Sequence, residues 1–251
     1  MITKTDIHHR INFNSWKQLE PHWVDGLAER VSLIKRPFSN PIFVHPEFLP
    51  LPQSEFISRS SLHAIASLET LNLPADTHDL ILFSPFIQWT QDVPGILKQA
   101  CLALPENGFF VGCFFGQDTL IEFKSVCAEI DLKHTQGLQQ RFLPTIHAKD
   151  AGMLMQRAGF ASPTADIEHF SFSVPSVYNL VKSLRDSCMN NAKAKLHQPH
   201  IPTTMLPFSF FTDANSAYAV QYPHPSGGIS VTVDLIFMCG WKEPDLMAVT
   251  R

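Results

Sequence analysis

Residues 78–118 read HDLILFSPFIQWTQDVPGILKQACLALPENGFFVGCFFGQD, and this stretch decides the fold. Leu80–Phe83 and Phe109–Phe115 are short apolar runs, which are typical of strands buried on both faces. Between them, residues 92–104 have the spacing of an amphipathic helix, and Asp92 is suited to cap its first turn. A strand, a helix and a strand joined by short turns form a βαβ unit, whose right-handed crossover makes the two strands parallel.

Composition favours a single domain over residues 1–251, because 45% of the chain is hydrophobic and only 17% is charged. The formal net charge is −4 and no block of Lys or Arg occurs, so we expect no nucleic-acid partner. No run of eighteen apolar residues occurs, and we expect no membrane span. The first residues lack the apolar core of a signal peptide, which favours the cytoplasm.

The rest of the chain predicts further strands and helices in the same alternation. Residues 1–38 are expected to be a helical lead-in, with a helix starting at Glu20–Pro21 and ended by Pro37. Residues 134–148 and 197–228 are expected to be irregular insertions. Further strands are predicted near 42–44, 55–58, 166–172 and 229–239, and further helices near 119–132, 149–158 and 177–195.

Five short motifs in and beside the opening stretch resemble a known superfamily. They resemble the fourth and fifth strands of class I S-adenosylmethionine (SAM) methyltransferases. The nearest branch resembles the mitochondrial complex I assembly-factor group, protein-arginine hydroxylases on that fold, with its bacterial relatives. That branch is similar to the carrier-protein methyltransferases of biotin synthesis. The motifs are Asp79–Leu82, Gln88–Trp89, Asp92–Gly95, Asn107–Phe109 and Phe115–Leu120, within a likeness that spans about residues 68–242.

The resemblance implies an α/β, Rossmann-like methyltransferase fold, with a mostly parallel sheet flanked by helices and an antiparallel last strand. It also implies a SAM site. Glu69 and Thr70 would lie by the adenine, and Ser84, Pro85 and Trp89 would surround the methionine end. The residues alone leave alternatives open, since a lone Glu before a turn is commonly solvated and a Trp here also suits the core.

On the substrate side, the resemblance assigns Gln88, Gln117, Asp118 and Thr119. Gln88 replaces the His of a His-Trp pair, and an amide cannot take a proton near neutral pH, so a base at that position is lost. Asp118 and Thr119 lie at a strand-to-helix corner, where capping of the helix would explain them equally well. No catalytic residue is assigned. No metal site is expected, since His197 and His200 have no carboxylate or Cys partner nearby in the sequence.

The first strand departs from the family where the cofactor should bind. The family's turn is glycine-rich because the backbone passes close to the ligand, whereas here it reads His45-Pro46-Glu47. No glycine occurs between Gly26 and Gly95, and the stretch from residue 44 to 80 is too short for two βαβ units of about 30 residues each. The sequence therefore predicts a fold shortened at its N-terminal, cofactor-binding half.

We predict that the loop at residues 45–52 forms no cradle and that Phe43, Phe48 and Phe56 fill the space. The functional expectation is a SAM-dependent methyltransferase-family protein with weakened or lost SAM binding, acting on a protein or carrier-bound substrate. The alternative is a non-catalytic, methyltransferase-like scaffold or assembly factor that works by binding a protein partner.

Overall fold

The structure is a computed structural model that describes residues 5–7, 16–47, 49–134, 142, 145–186 and 208–243. The strands of this described part are β1 Thr5–Ile7, β2 Pro41–Pro46, β3 Ser61–Ile65, β4 Leu80–Phe83, β5 Phe109–Phe115, β6 Phe160–Val174 and β7 Ile229–Lys242. Its α-helices are α1 Glu20–Ser32, α2 Glu55–Ser58, α3 Val93–Ala103, α4 Ile121–His134, α5 Ala148–Ala158, α6 Val177–Asp186 and α7 Phe208–Gln221. Short 3₁₀ turns cover Trp16–Leu19 and Ile87–Trp89.

The strands form one sheet in the order β1-β6-β7-β5-β4-β2-β3. Strands β2, β3, β4 and β5 pair in parallel, while β7 pairs antiparallel with both β5 and β6. The central βαβ unit is β4–α3–β5, with Leu80 opposite Phe109 and the Asp92 carboxylate accepting from the Gly95 N–H at 2.9 Å. The mostly parallel, Rossmann-like methyltransferase architecture with an antiparallel last strand is confirmed.

The sheet is short on the side of β2, as the sequence predicts. Within the described residues a single strand, β3, lies beyond β2. The strand predicted at 55–58 is wrong, because Glu55–Ser58 is the helix α2 and the strand follows at Ser61–Ile65. Four residues are too few to distinguish a helical from an extended pattern of apolar residues. In the single helical turn of α2, Ile57 is buried and Phe56 packs against the core.

Two further expectations need correction. The segment 208–221, predicted to be irregular, is the helix α7, whose Phe210, Ala214 and Tyr218 recur every four residues and are buried. The lead-in contains the strand β1 as well as the helix α1, which ends at Ser32 before reaching Pro37. The remaining predictions for 187–207 and for most of 134–148 lie outside the described residues.

Helices cover both faces of the sheet and bury two apolar layers. One layer joins the sheet to α1, α4, α6 and α7, and the other joins it to α3 and α5. Cys101, Cys113 and Cys239 lie buried in these layers, in agreement with the prediction that they are core residues. The carboxyl ends of β2, β4 and β5 therefore remain the edge at which a ligand could meet polar groups.

Helix α1 approaches β7 so closely that only a glycine fits at position 26. A Cβ built on Gly26 would lie 2.2 Å from Cζ of the Phe237 ring, and Arg30 packs its guanidinium 3.7 Å from the centre of the same ring. The ring is fully buried and cannot move aside freely.

We predict that Gly26→Ala destabilises the protein by about 1–2 kcal/mol, because overpacking outweighs the gain in helix propensity. Gly152→Ala on α5 is the matched control, since a Cβ there meets nothing within 4 Å. The control should be stabilising by about 0.5–1 kcal/mol. Urea unfolding measures both variants, and a Gly26→Ala protein as stable as the control would contradict the packing argument.

Candidate functional site

The chain reverses its direction across the sheet between β2 and β4. After β2 it moves outward to β3 and then returns to the other side of β2 as β4, which makes the carboxyl ends of β2 and β4 a topological switch point. The Ser84 N–H donates to the Val44 carbonyl at 3.2 Å, so Ser84 continues the pairing beyond the strand. His45 and Ser84 are therefore neighbours at the place where open α/β sheets bind ligands.

His45 is the last residue but one of β2, at the position where the resemblance implies the start of a glycine-rich turn. Its imidazole is buried, stacks on the Phe43 ring at 5.4 Å, and places Nε2 3.2 Å from the Pro50 carbonyl oxygen. Burial lowers the pKa of His45, which favours the neutral ring. Nε2–H is then the donor to Pro50, and Nδ1 is an acceptor that has no partner among the described residues. The fully buried Ser84 hydroxyl is likewise without a partner in that part of the chain.

The described backbone donors that follow β2 bond within the protein. The Glu47 N–H donates to Ile65 and the Leu49 N–H donates to Pro46, each at 3.1 Å, while Pro46 has no N–H to offer. The loop then enters α2, whose four residues are too few to present a helix N-terminus to a ligand. On the β2 side, the residues present do not fit SAM.

The predicted plug is present in part. Phe43 is fully buried and Phe56 packs against the core on the α1 side of the sheet, while Phe48 lies outside the described residues. Trp23 of α1 stacks on Phe43 at 6.3 Å and seals that face. The closed pocket stays a prediction that a ligand-soaked crystal can decide.

Glu69 ties a loop to the start of α3. Its carboxylate accepts from the backbone N–H groups of Gln91 at 2.9 Å and Asp92 at 3.2 Å. The Gln99 side chain closes the same loop, donating to the Glu69 carbonyl at 3.1 Å and accepting from the Leu71 N–H at 2.8 Å. Glu69 and Thr70 are exposed, and the contacts of Glu69 give it a structural role that does not require adenine.

The other predicted cofactor residues follow β4 directly. Ser84, Pro85 and Trp89 are all buried, and Trp89 belongs to the apolar layer that faces α3. The side chain of Gln88 lies outside the described part of the chain. The structure thus brings three of the five predicted cofactor residues to the carboxyl end of β4, with Trp89 contributing to the core.

The predicted substrate corner is held by β7. The Thr119 hydroxyl donates to the Asp234 carbonyl and accepts from the Asp234 N–H, both at 3.1 Å. The Gly116 N–H donates to the same carbonyl at 2.9 Å, and the Asp118 N–H donates to the Asp234 carboxylate at 3.2 Å. Thr119 therefore binds a neighbouring strand rather than capping α4 as one alternative had it, and it leaves Gln117 and Asp118 exposed at the rim.

The same corner contains a strained residue and a second bond to β7. Leu120 has a φ of +61°, a conformation that is costly for a bulky side chain and that turns the chain from β5 into α4. Glu122 accepts from the Thr232 N–H at 3.0 Å and from the Thr232 hydroxyl at 2.5 Å. The corner is therefore fixed to β7 on both sides of the strained residue.

Two residues at this corner were not predicted from the sequence: Asp234, which organises the corner, and His169, which bonds it. Asp234 is buried in β7, and its Oδ1 lies 2.6 Å from Nδ1 of His169 on β6. Burial raises the pKa of Asp234, opposed by the hydrogen bond from His169. The available signal was an Asp within the apolar run of 229–239.

Lys124 on α4 contributes a cation to the corner. Its Nζ donates to the Gln117 carbonyl at 3.0 Å. Burial lowers the pKa of Lys124, and the carboxylates of Asp118 and Asp234 oppose that shift. The turn and the two strands beside it thus bring together the carboxylates of Asp118, Glu122 and Asp234 with the His169 imidazole and the Lys124 ammonium group.

Sequence comparison shows which known proteins this chain is similar to. No family model matches the chain. It is 31% identical over 192 residues to the mitochondrial arginine-hydroxylase NDUFAF5 of Rattus norvegicus, covering 75% of this chain and 53% of that protein. It is 25% identical over 176 residues to the malonyl-[acyl-carrier protein] O-methyltransferase of Halorhodospira halophila, covering 70% of this chain and 56% of that protein. The predicted resemblance is confirmed.

A solved structure agrees on the fold. A Bacillus halodurans protein, described as a methyltransferase, superposes with a TM-score of 0.50 at 10% identity, covering 87% of this chain and 99% of that one. This chain is therefore similar to NDUFAF5 and to a malonyl-carrier-protein methyltransferase, and it has a Rossmann-like methyltransferase fold. It spans about half the length of the curated relatives it matches.

We predict that Thr119→Val destabilises the protein by about 1–3 kcal/mol, since it leaves the buried N–H and carbonyl of Asp234 without one of their partners. Thr119→Ser keeps the hydroxyl and is the control, with a smaller loss. Chemical unfolding measures both. Equal losses in the two variants would show that the hydroxyl is not what holds the corner.

The lowered pKa of His45 predicts a specific pH dependence. The unfolded chain binds the His45 proton at a higher pH than the folded chain does, so stability is lost as the pH falls below about 6.5. His45→Gln can still donate to Pro50 and should lose less stability between pH 7.5 and pH 5. Unfolding free energies over that range test this, and parallel curves for the two proteins would contradict it.

Proposed function

We propose that this protein uses a methyltransferase fold, with weakened SAM binding, to act on a protein or carrier-bound substrate. The observation that carries the proposal is the end of β2, where a buried imidazole occupies the turn and the backbone donors bond within the protein. SAM, when bound, supplies a methyl group. On this side of the sheet the described residues offer it neither close backbone approach nor a free N–H at Glu47 or Leu49.

Weakened binding is a better description than complete loss because the β4 side keeps suitable groups. Ser84 and Pro85 follow the strand at the switch point, and the buried Ser84 hydroxyl and His45 Nδ1 have no partner in the described residues. Buried polar atoms are rarely left unpaired, so a donor or acceptor from a ligand or water would satisfy them. Ser84, Pro85 and Trp89 would hold the cofactor from this side alone.

The choice of a protein or carrier-bound substrate rests on the relatives and on charge. One relative is named as an arginine hydroxylase and the other as a methyltransferase of a malonyl group on a carrier protein. Neither name refers to nucleic acid. The net charge of −4 agrees with that class. No helix in the described part is long and apolar enough to cross a membrane. We retain the cytoplasm as the proposed compartment, although the NDUFAF5 relatives are mitochondrial.

A non-catalytic scaffold that binds a protein partner is the second candidate, and one observation favours it. Tyr178 on α6, Leu132 on α4 and Val220 on α7 are 67%, 67% and 81% exposed, and α7 packs against both other helices. Large apolar side chains exposed on adjoining helices are typical of protein-binding surfaces. In this case the sheet would serve as a frame for that surface.

Calorimetric titration with SAM and with its demethylated product, S-adenosylhomocysteine, tests the proposal. We expect binding weaker than about 100 µM, lost in Ser84→Val, which removes the hydroxyl at similar volume. Binding at low micromolar concentration would contradict the closed β2 side. Silence at millimolar ligand would favour the scaffold.

A charge variant locates the ligand. Glu47 would lie near the carboxylate of SAM if the ligand followed the family's path along residues 44–48, and Glu47→Gln would then strengthen binding by removing a like charge. We predict no change, because the β2 side is closed. Glu55→Gln on α2 is the charge-matched control. A gain in affinity confined to Glu47→Gln would place the ligand against the turn.

A further inference from the structure

The His169–Asp234 pair lies just beyond the carboxyl end of β5. Phe115, the last residue of β5, is opposite Leu235, and the next residue, Gly116, donates to the Asp234 carbonyl. Asp234 is in turn opposite His169 across the β6–β7 ladder. The pair therefore stands beside the exposed corner of Gln117 and Asp118, on the edge of the sheet where α/β folds bind ligands.

The geometry fixes which nitrogen of the imidazole is available. Nδ1 lies 2.6 Å from Oδ1 of Asp234, so in the neutral ring the proton sits on Nδ1 and Nε2 is an acceptor. The carboxylate is itself held, since its Oδ2 accepts from Asp118 and its backbone is bound by Thr119. Nε2 has no hydrogen-bond partner among the described residues, and the His169 side chain is 21% exposed.

A purely structural role does not explain the pair well. β6 and β7 are already joined along almost their whole lengths, between Phe160–Lys242 and Val174–Ile229. Burying a carboxylate costs several kcal/mol, and an apolar pair of similar size would generally hold two strands at least as well. An imidazole held by a buried carboxylate, with no hydrogen bond to its other nitrogen from the described residues, is the arrangement that proton transfer requires.

We propose that His169, oriented by Asp234, is the proton acceptor for the reacting group of the substrate, and that this group is a hydroxyl, a thiol or an amine rather than a carboxylate. The inference rests on the proposed function, which places a protein or carrier-bound substrate at this edge. At neutral pH a carboxylate has already lost its proton, whereas an alcohol, a thiol and an alkylammonium retain theirs. A base is therefore needed for an alcohol, a thiol or an alkylammonium group, and not for a carboxylate.

The proton balance is simple. The proton leaves the oxygen, sulfur or nitrogen of the substrate and binds Nε2 of His169, while the electron pair of the broken bond stays on the substrate atom. The imidazolium that results is stabilised by the Asp234 carboxylate on its other side. The exposed part of the ring then returns the proton to solvent. The base that the resemblance places at position 88, where Gln88 cannot accept a proton, would thus be supplied from β6 instead.

Chemical labelling tests the base without any cofactor. Diethyl pyrocarbonate acylates accessible, unprotonated imidazole nitrogens, and mass spectrometry reads the rate at each histidine. We expect His169 to react several-fold faster than His63, whose Nε2 is 2.5 Å from the Leu71 carbonyl. Asp234→Asn should slow His169, whereas Glu55→Gln, which removes an exposed carboxylate on α2 that bonds Arg59, should not. Thermal unfolding confirms that each variant is folded.

Two results would overturn the proposal. One is a His169 that labels no faster than His63. The other is an unchanged His169 rate in a folded Asp234→Asn protein. If Asp234→Asn does not fold, the comparison of His169 with His63 in the unchanged protein decides.

Methyl transfer tests the substrate class and separates this inference from the proposed function. With isotopically labelled SAM and a hydroxyl, thiol or amine acceptor on a peptide, His169→Gln should lower turnover by about 100-fold or more and flatten its pH profile. SAM affinity should be unchanged, since His169 lies three strands from β4. Transfer to malonyl-carrier protein at the same rate in His169→Gln would overturn the class. Absence of SAM binding would count against the proposed function alone, and labelling would still decide the base.

Discussion

The exchange of two hydrogen bonds between the Thr119 hydroxyl and the backbone of Asp234 is the contact on which the substrate-side edge depends. It joins the turn after β5 to the antiparallel strand β7 at the point where their regular pairing ends. The hydroxyl is buried, so neither of its bonds competes with water. Because the turn is held there, Leu120 can keep its unfavourable backbone conformation and Asp118 can face solvent.

The parts of the fold that could be predicted from the sequence are those with a local pattern of sufficient length. The β4–α3–β5 unit combines two apolar runs with eleven helical residues and a capping Asp92, and each of these signals agrees with the others. Residues 55–65 carry no such agreement, and there a strand was predicted at 55–58 where the helix α2 forms, three residues before β3. Strand β1 has three residues and is defined only by its pairing with Glu168–Phe170, a contact that no local pattern encodes.

The candidate site shows the same division between local and long-range information. The absence of glycine after β2 is visible in the sequence itself. It predicts the loss of a close backbone approach to a ligand, because that approach depends on the residues of the turn alone. The pairing of His169 with Asp234 spans 65 positions and depends on the register of two long strands. A shift of one residue in that register would turn one of the two side chains to the opposite face of the sheet. Glu69 illustrates the converse, because a position matched to the family turned out to bond the backbone at the start of α3.

The two ends of the proposed site differ in their physical requirements. A cofactor cradle needs small residues and free N–H groups, whereas here His45 stacks on Phe43 and the N–H groups of Glu47 and Leu49 bond within the protein. A buried Asp–His pair does the reverse, since it keeps an ionisable group where apolar side chains would pack at lower cost. Packing alone would favour an apolar side chain at position 234. Asp234 instead stands in this apolar strand with two hydrogen-bond partners, and its carboxylate both fixes the turn at Asp118 and orients the imidazole of His169.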